Sequence, residues 1–261
     1  MKLSVITINF NNINGFQITM ESVVSQISKE FEWLVIDGGS TDGSRELIER
    51  HQDTMAYWCS EPDRGIYHAM NKGLAKAHGD YFLFLNSGDS FYSKDVISRI
   101  LPYLDGTDFI IGNIYLATDR RNNMVKNDWF TDEGVIRVLN QFSFPHQSTF
   151  IKREVFERHG NYREDMKISS DWWLSYQALI IGSATIKYIP CDISIYDTTG
   201  ISSTNSQLMY KERDLLLKER PYLYQMYRFY NENFDIIKSI RSNKFTFFIY
   251  RFFYMIYRLV A

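Results

Sequence analysis

Four short apolar runs near the start of the chain each give way to an acid or an amide, and this repeat decides what the chain can fold into. Leu3 to Ile8 ends at Asn9, and Leu34 to Ile36 ends at Asp37. Met55 to Cys59 is followed by Glu61 and Asp63, and Tyr81 to Leu85 by Asp89, across Asn86-Ser87-Gly88. Stretches of helical periodicity separate the runs, so the spacing predicts parallel strands buried on both faces. In such a sheet the turns that follow the strands line one crevice at the carboxyl edge. Acids gathered there with little neutralising base suit a hard divalent cation and a phosphorylated ligand.

The alternation predicts strands at 3–9, 31–37, 55–60, 80–86 and 108–112, with helices at 15–27, 43–51, 66–77 and 94–104 between them. Phe16, Met20, Val23, Val24 and Ile27 share one face of the first helix. Ser90 or Ser93 is placed to cap the fourth. Such βαβα order calls for an α/β fold with helices on both sides of the sheet. From 113 to 205 the pattern is mixed. Short β-like runs (Ser148 to Lys152, Ala184 to Ile189, Ile193 to Tyr196) accompany a helix near 172–182. The remaining residues read as helical, interrupted by Pro221.

With 261 residues and 45% hydrophobic content, the chain can bury one substantial core. A net charge of −2 gives no reason to expect nucleic acid as partner. That balance hides an asymmetry: beyond Asp235 there is no acid, while Lys238, Arg241, Lys244, Arg251 and Arg258 add five positive charges. Cys59, in an expected buried strand, and Cys191 have no disulfide or metal-ligand spacing, which fits a reducing cytoplasmic compartment. The apolar run after Met1-Lys2 is too short to suggest a signal peptide, and no stretch is long enough to predict a spanning helix.

In Asp37-Gly38-Gly39-Ser40-Thr41-Asp42-Gly43, adjacent glycines permit a sharp turn and close approach to a ligand. The same turn is also explained by Ser40 or Asp42 capping the next helix. Asp63 and Arg64, in Glu61-Pro62-Asp63-Arg64-Gly65-Ile66-Tyr67, either pair with each other or face a ligand. Asp89 after its strand meets the need of a cation that bridges phosphates and takes one or two carboxylates. A G-x-G-x-x-G turn for a dinucleotide is missing, and Asn9-Phe10-Asn11-Asn12 stands where a nucleotidyltransferase carries a Gly- and Arg-rich loop.

Taken in order, Ser4-Val5-Ile6-Thr7-Ile8-Asn9, the Asp37 to Gly43 turn and Asn86-Ser87-Gly88-Asp89 resemble the large inverting family 2 of GT-A glycosyltransferases. The Glu61 to Tyr67 segment and Met70-Asn71-Lys72-Gly73 resemble its bacterial branch that builds O-antigen, colanic acid and capsule repeat units. The likeness runs over about residues 3–205. It implies an α/β GT-A fold: a Rossmann-like nucleotide-binding sheet (donor half 1–112) with mixed acceptor-side strands (acceptor half 113–205), then C-terminal amphipathic helices over 206–261. It further implies a nucleotide-sugar donor, most often UDP-linked, with Mn²⁺ or Mg²⁺.

Under this resemblance Thr7, Asn9 and Asp37 would hold the uridine, with Gly39, Asp63, Arg64, Asn71 and Lys72 nearby. Asn86, Ser87 and Asp89 would occupy the metal motif, with Asp89 as the direct carboxylate ligand, since Asn86 and Gly88 stand where many members carry Asp. His68 also stands where close relatives often have Asp. Ile168-Ser169-Ser170-Asp171-Trp172-Trp173 resembles the place of the catalytic base, so Asp171 would take the acceptor proton, unless Ser170 or Asp171 is there as a helix N-cap. His146 would approach the acceptor or the phosphates, and Tyr196 with Ser202 would belong to a closing loop. The implied reaction moves a hexose from a UDP-sugar to an undecaprenyl-diphosphate-linked sugar; glucose, galactose and N-acetylglucosamine would each fit, and the branch resembled favours glucose or galactose. From a different class, a non-catalytic nucleotide-sugar-binding scaffold of a polysaccharide assembly complex would carry the same fold.

Residues 236–261 fit that setting. Lys244, Arg251 and Arg258 recur every seven residues among Phe, Tyr, Ile and Met, as suits a helix lying on an anionic membrane surface. This places the protein on the inner face of a bacterial inner membrane. The other arrangement for the same helix is packing on the catalytic domain or on a second subunit, in a homodimer.

Overall fold

The computed structural model describes residues 2–117, 123–125, 127 and 144–232; the basic tail at 236–261 lies outside the described residues. β1 (Leu3–Asn9), β2 (Glu32–Asp37), β3 (Tyr57–Ser60) and β4 (Tyr81–Phe84) pair in parallel in the order β3-β2-β1-β4. Their apolar runs are continuous because both faces are covered. On one face, Leu3, Val5, Val35 and Leu83 pack with Phe16, Met20 and Val23 of α1 (Ile13–Val24), Leu47 and Ile48 of α2 (Ser44–Arg50), and Val96, Ile97 and Ile100 of α4 (Val96–Ile100). On the other, α3 (Ile66–Lys76) lies close enough that a Cβ at Gly73 would meet Ile6 at 2.5 Å.

From β1 the chain steps outward to β2 and β3, then returns to set β4 on the other side of β1. The direction reverses between β1 and β4, and a ligand crevice forms at the carboxyl ends of such a pair. Beyond β4 the sheet becomes mixed. β8 (Thr149–Lys152) runs antiparallel between β4 and β6 (Phe109–Ala117). β9 (Ile186–Asp197) then runs parallel to β6, so Asp197 ends at the crevice edge, and β5 (Ser90–Phe91) closes that side. The short β7 (Asn123–Val125) pairs with β6. α5 (Arg153–His159) follows β8, and α6 (Ser170–Tyr176) leads into a π turn at Gln177–Ile181.

Several expected boundaries move for identifiable reasons. The first helix ends at Val24, so Val24 and Ile27 are 40% and 70% exposed instead of extending its buried face. Neither Ser90 nor Ser93 caps the fourth helix: the cap is Asp95, and Pro102 turns its end into a 3₁₀ turn at Leu101–Tyr103. The two runs expected at 184–189 and 193–196 form one strand. Pro190 and a register shift against β6 between Ile111 and Ile114 break its alternation. Cys59 is half-buried because β3 is the edge of the sheet. β5, β7 and α5 lie where no element was expected. Pro221 separates α8 (Ser206–Lys218) from α9 (Pro221–Glu232), after a short α7 (Ile201–Thr204). The chain divides into two compact units, Met1–Arg213 and Asp214–Ala261.

Candidate active site

At the end of β2, Asp37 is fully buried and accepts five hydrogen bonds. Oδ1 takes Asn9 Nδ2 at 2.7 Å and Ser40 Oγ at 2.6 Å. Oδ2 takes the N–H groups of Gly39 and Ser40 at 3.2 and 2.9 Å and Ser60 Oγ at 2.6 Å. Burial alone would push its proton affinity up. The bonds from Ser40, Ser60 and Asn9 outweigh burial and hold the carboxyl below its ordinary range. Beside this cluster Asn9 keeps a buried Oδ1 with no hydrogen-bond partner among the described residues. Over the turn lies Phe10, 63% exposed, against Gly38. A Cβ at Gly38 would sit 2.5 Å from Asp63 Oδ2 and 3.1 Å from the Phe10 ring, so both side chains close on the bare backbone of the turn.

Other residues expected around the nucleotide are engaged elsewhere. Thr7 is buried, and its hydroxyl bonds Leu85 O at 2.8 Å and Trp33 Nε1 at 3.0 Å. Asn71 uses its amide on the backbone of Tyr162, at 2.8 and 3.1 Å, and on Glu164 at 3.2 Å. Arg64 pairs with Glu164 instead of Asp63, and Lys72 pairs with Glu61 at 2.9 Å. The Asn71 and Arg64 contacts tie α3 and the turn before it to the loop at 160–164, and the Lys72 pair ties α3 to the turn after β3.

Past β4, Asp89 is 3% exposed, and its Oδ1 accepts Asp197 N–H at 3.0 Å. Gly88 has φ +104°, and a Cβ there would meet Asp197 Oδ2 at 2.5 Å. Two acids therefore lie against one turn. Burial pushes Asp89 up to about 7, while His146, the Asp197 N–H and Gln147 pull the other way. Asn86 Oδ1 and Ser87 Oγ are buried in the same turn with no hydrogen-bond partner among the described residues. A buried, poorly compensated carboxylate beside a second acid and unpaired oxygens is a donor set that fits a hard divalent cation. Among the described residues no three His, Cys, Asp or Glu side chains form a cage, so the rest of such a shell would be water and ligand. Asp89 and Asp197 would hold the ion.

Asp171 lies in the first turn of α6, whose N-cap is Ser169, so neither Ser170 nor Asp171 is the cap. Its Oδ1 accepts Tyr67 O–H at 2.8 Å, and its Oδ2 lies 3.7 Å from His146 Nδ1. The other face of that imidazole, Nε2, is 3.1 Å from Asn86 Nδ2. One chain of side chains thus runs from Tyr67 through Asp171 and His146 to the Asn86–Asp89 turn. Burial alone would raise the Asp171 pKa; His146 and Tyr67 hold it below its ordinary value. Tyr196 bonds Ser203 near the end of β9, and Ser202 falls in α7. Phe10, Tyr67, Gln147 and Asp197 were not singled out from sequence. The exposed aromatic directly after a strand-end amide was a usable signal for Phe10.

A family model described as glycosyl transferase family 2 matches residues 4–160. The chain belongs to glycosyltransferase family 2. It is a transferase. An uncharacterised glycosyltransferase of Mycobacterium tuberculosis is 34% identical over 77% of this chain and 77% of its own length. A PGL/p-HBAD biosynthesis glycosyltransferase of Mycobacterium bovis is 26% identical over 69% of this chain and 71% of its own length. Among solved structures, S. aureus TarS 1–349 superposes with a TM-score of 0.67 at 19% identity, covering 84% of this chain and 65% of that one. A mannosyltransferase from Pyrobaculum calidifontis in complex with GDP-Man and Mn²⁺ gives 0.56 at 15% identity, covering 87% of this chain and 73% of that one. These likenesses show the GT-A-like fold.

Proposed function

We propose that this family 2 transferase moves a hexose, glucose or galactose, from a UDP-sugar to a lipid-diphosphate-linked sugar, with inversion, in O-antigen-type polysaccharide assembly. The observation that carries the reading is the Tyr67–Asp171–His146–Asn86 chain, which joins a candidate base to the turn suited to a cation and diphosphate. The existence of TarS in complex with UDP-GlcNAc supports a uridine donor. Asn9 and Asp37 would receive the base or ribose, with Phe10 as an aromatic platform. A divalent ion at Asp89 would neutralise charge developing on the leaving diphosphate. Asp171 would take the proton of the acceptor hydroxyl, whose oxygen bonds to the anomeric carbon. The bond from that carbon to the diphosphate breaks, and its electron pair leaves with UDP. No second carboxylate is needed as nucleophile, so transfer is one displacement. With a UDP-α-sugar and a lipid-linked acceptor analogue, proton NMR of the product should show a β-linkage. An α-linked product would overturn inversion.

The basic aromatic stretch at 236–261 would bring the enzyme to its lipid acceptor on the inner membrane face. No helix among the described residues is long and apolar enough to cross a membrane. Each Lys or Arg near an anionic surface contributes about 1 kcal/mol. A chain truncated after Asn243 should therefore stop floating with phosphatidylglycerol vesicles while still binding UDP. Flotation equal to that of the full chain would sink the membrane role.

A further inference from the structure

Asp171 has two oxygens in unlike surroundings. Its Oδ1 is bonded by a phenol delivered from α3, 104 residues earlier in sequence. Its Oδ2 faces His146 Nδ1 at 3.7 Å, beyond a direct hydrogen bond. The far nitrogen of that ring, Nε2, lies 3.1 Å from Asn86 Nδ2, so the imidazole stands between Oδ2 and the Asn86 turn. We propose that Tyr67 is the positioning residue of the transfer reaction: its hydroxyl fixes Oδ1 and leaves Oδ2, on the His146 side, as the oxygen that takes the acceptor proton. This rests on Asp171 being the base.

Tyr67 is built for such a role. It is 4% exposed, on the face of α3 that also buries Met70 and Leu74, and its ring packs at 5.5 Å on Tyr162. A phenol held this way loses little further freedom on bonding, and an O–H bond to a carboxylate is charge-assisted. The carboxylate needs such a partner, because burial without hydrogen bonds favours the protonated acid, which cannot act as a base. The titratable groups facing Asp171 from neighbouring elements are Tyr67 of α3, His146 before β8 and Tyr162 after α5.

Tyr162 supplies an internal control. It is 3% exposed, packs on Phe84 and Phe156 at 5.6 and 5.3 Å, and lies near enough to Asp171 to feel its charge. Its hydroxyl has no hydrogen-bond partner among the described residues. The pocket thus holds two buried phenols, one bonded to the carboxylate and one not. Loss of the bonded hydroxyl should affect the reaction; loss of the other should not.

The test compares Tyr67→Phe, Tyr162→Phe and Asp171→Asn in the full chain, with Mn²⁺ and donor saturating. Tyr67→Phe should lower kcat about tenfold, the usual scale for a hydrogen bond to a charged group, with UDP affinity and thermal midpoint near wild type. Tyr162→Phe should keep the wild-type kcat. The proposal is overturned if Tyr67→Phe turns over at the wild-type rate, if its loss appears as weaker UDP binding instead, or if both phenylalanine variants fall alike. Should Asp171→Asn itself retain turnover, the assignment of the base fails. If Asp171→Asn is inactive while Tyr67→Phe is unimpaired, the base stands and the positioning role falls.

Discussion

Asp171→Asn is expected to reduce sugar transfer by about 10²–10⁴, the range by which a positioned general base accelerates a reaction. The substitution keeps the shape of the side chain and leaves an oxygen that can still accept the Tyr67 hydroxyl. What it removes is the negative charge and the ability to take a proton. The helix should not loosen, because Asp171 is not its N-cap and its turns are packed through Trp172, Trp173 and Tyr176. Donor affinity should also hold, since Asp37 is held by Asn9 of β1, Ser40 of the turn after β2 and Ser60 of β3, none of which bonds Asp171. Steady-state transfer with a lipid-linked acceptor analogue, read beside UDP titration of the same variant, checks both halves. A variant that keeps more than a tenth of its turnover would show that the base lies elsewhere.

How much of this was legible before the fold was known depends on what each residue interacts with. The parallel half was readable because β1, β2 and β4 are buried on both faces and each run is closed by a polar residue. The crevice acids were readable for the same reason, since Asn9, Asp37 and Asp89 sit where runs end. Hydrogen-bond engagement was not readable. Thr7 looks available in sequence, but its hydroxyl is held by Trp33 and Leu85, which only the pairing of β1 with β2 and β4 brings near. Asn71 is similar: its partners belong to a loop 91 residues away. Tyr67 was quoted as part of a motif without a role, because its bond to Asp171 exists only once α3 and α6 meet at the crevice. Asp197 was passed over because the expected run, Ile193 to Tyr196, stops one residue short of the end of β9. In the mixed half the run Ser148 to Lys152 was legible as β8, whereas β5 was not, being two residues long and paired with a strand distant in sequence.

The second large effect concerns the cation. Removing it with EDTA is expected to lower turnover by about a hundredfold or more, because a divalent ion contributes several kcal/mol of charge stabilisation to a leaving diphosphate. Asp89 by itself cannot fill the shell of such an ion, and Asp197, engaged with the Gly88 turn, adds at most a second carboxylate. The remaining places fall to water and to the diphosphate, so ion and nucleotide should bind together. That mutual dependence is the central claim, that the acids at the strand ends hold a cation–diphosphate pair. Isothermal titration of UDP into the wild-type protein, once with Mn²⁺ and once with EDTA, measures it most directly. Weak Mn²⁺ binding to the protein without nucleotide, and UDP binding at least about tenfold tighter with Mn²⁺ than with EDTA, is the predicted result. Equal UDP affinity in the two solutions would contradict it.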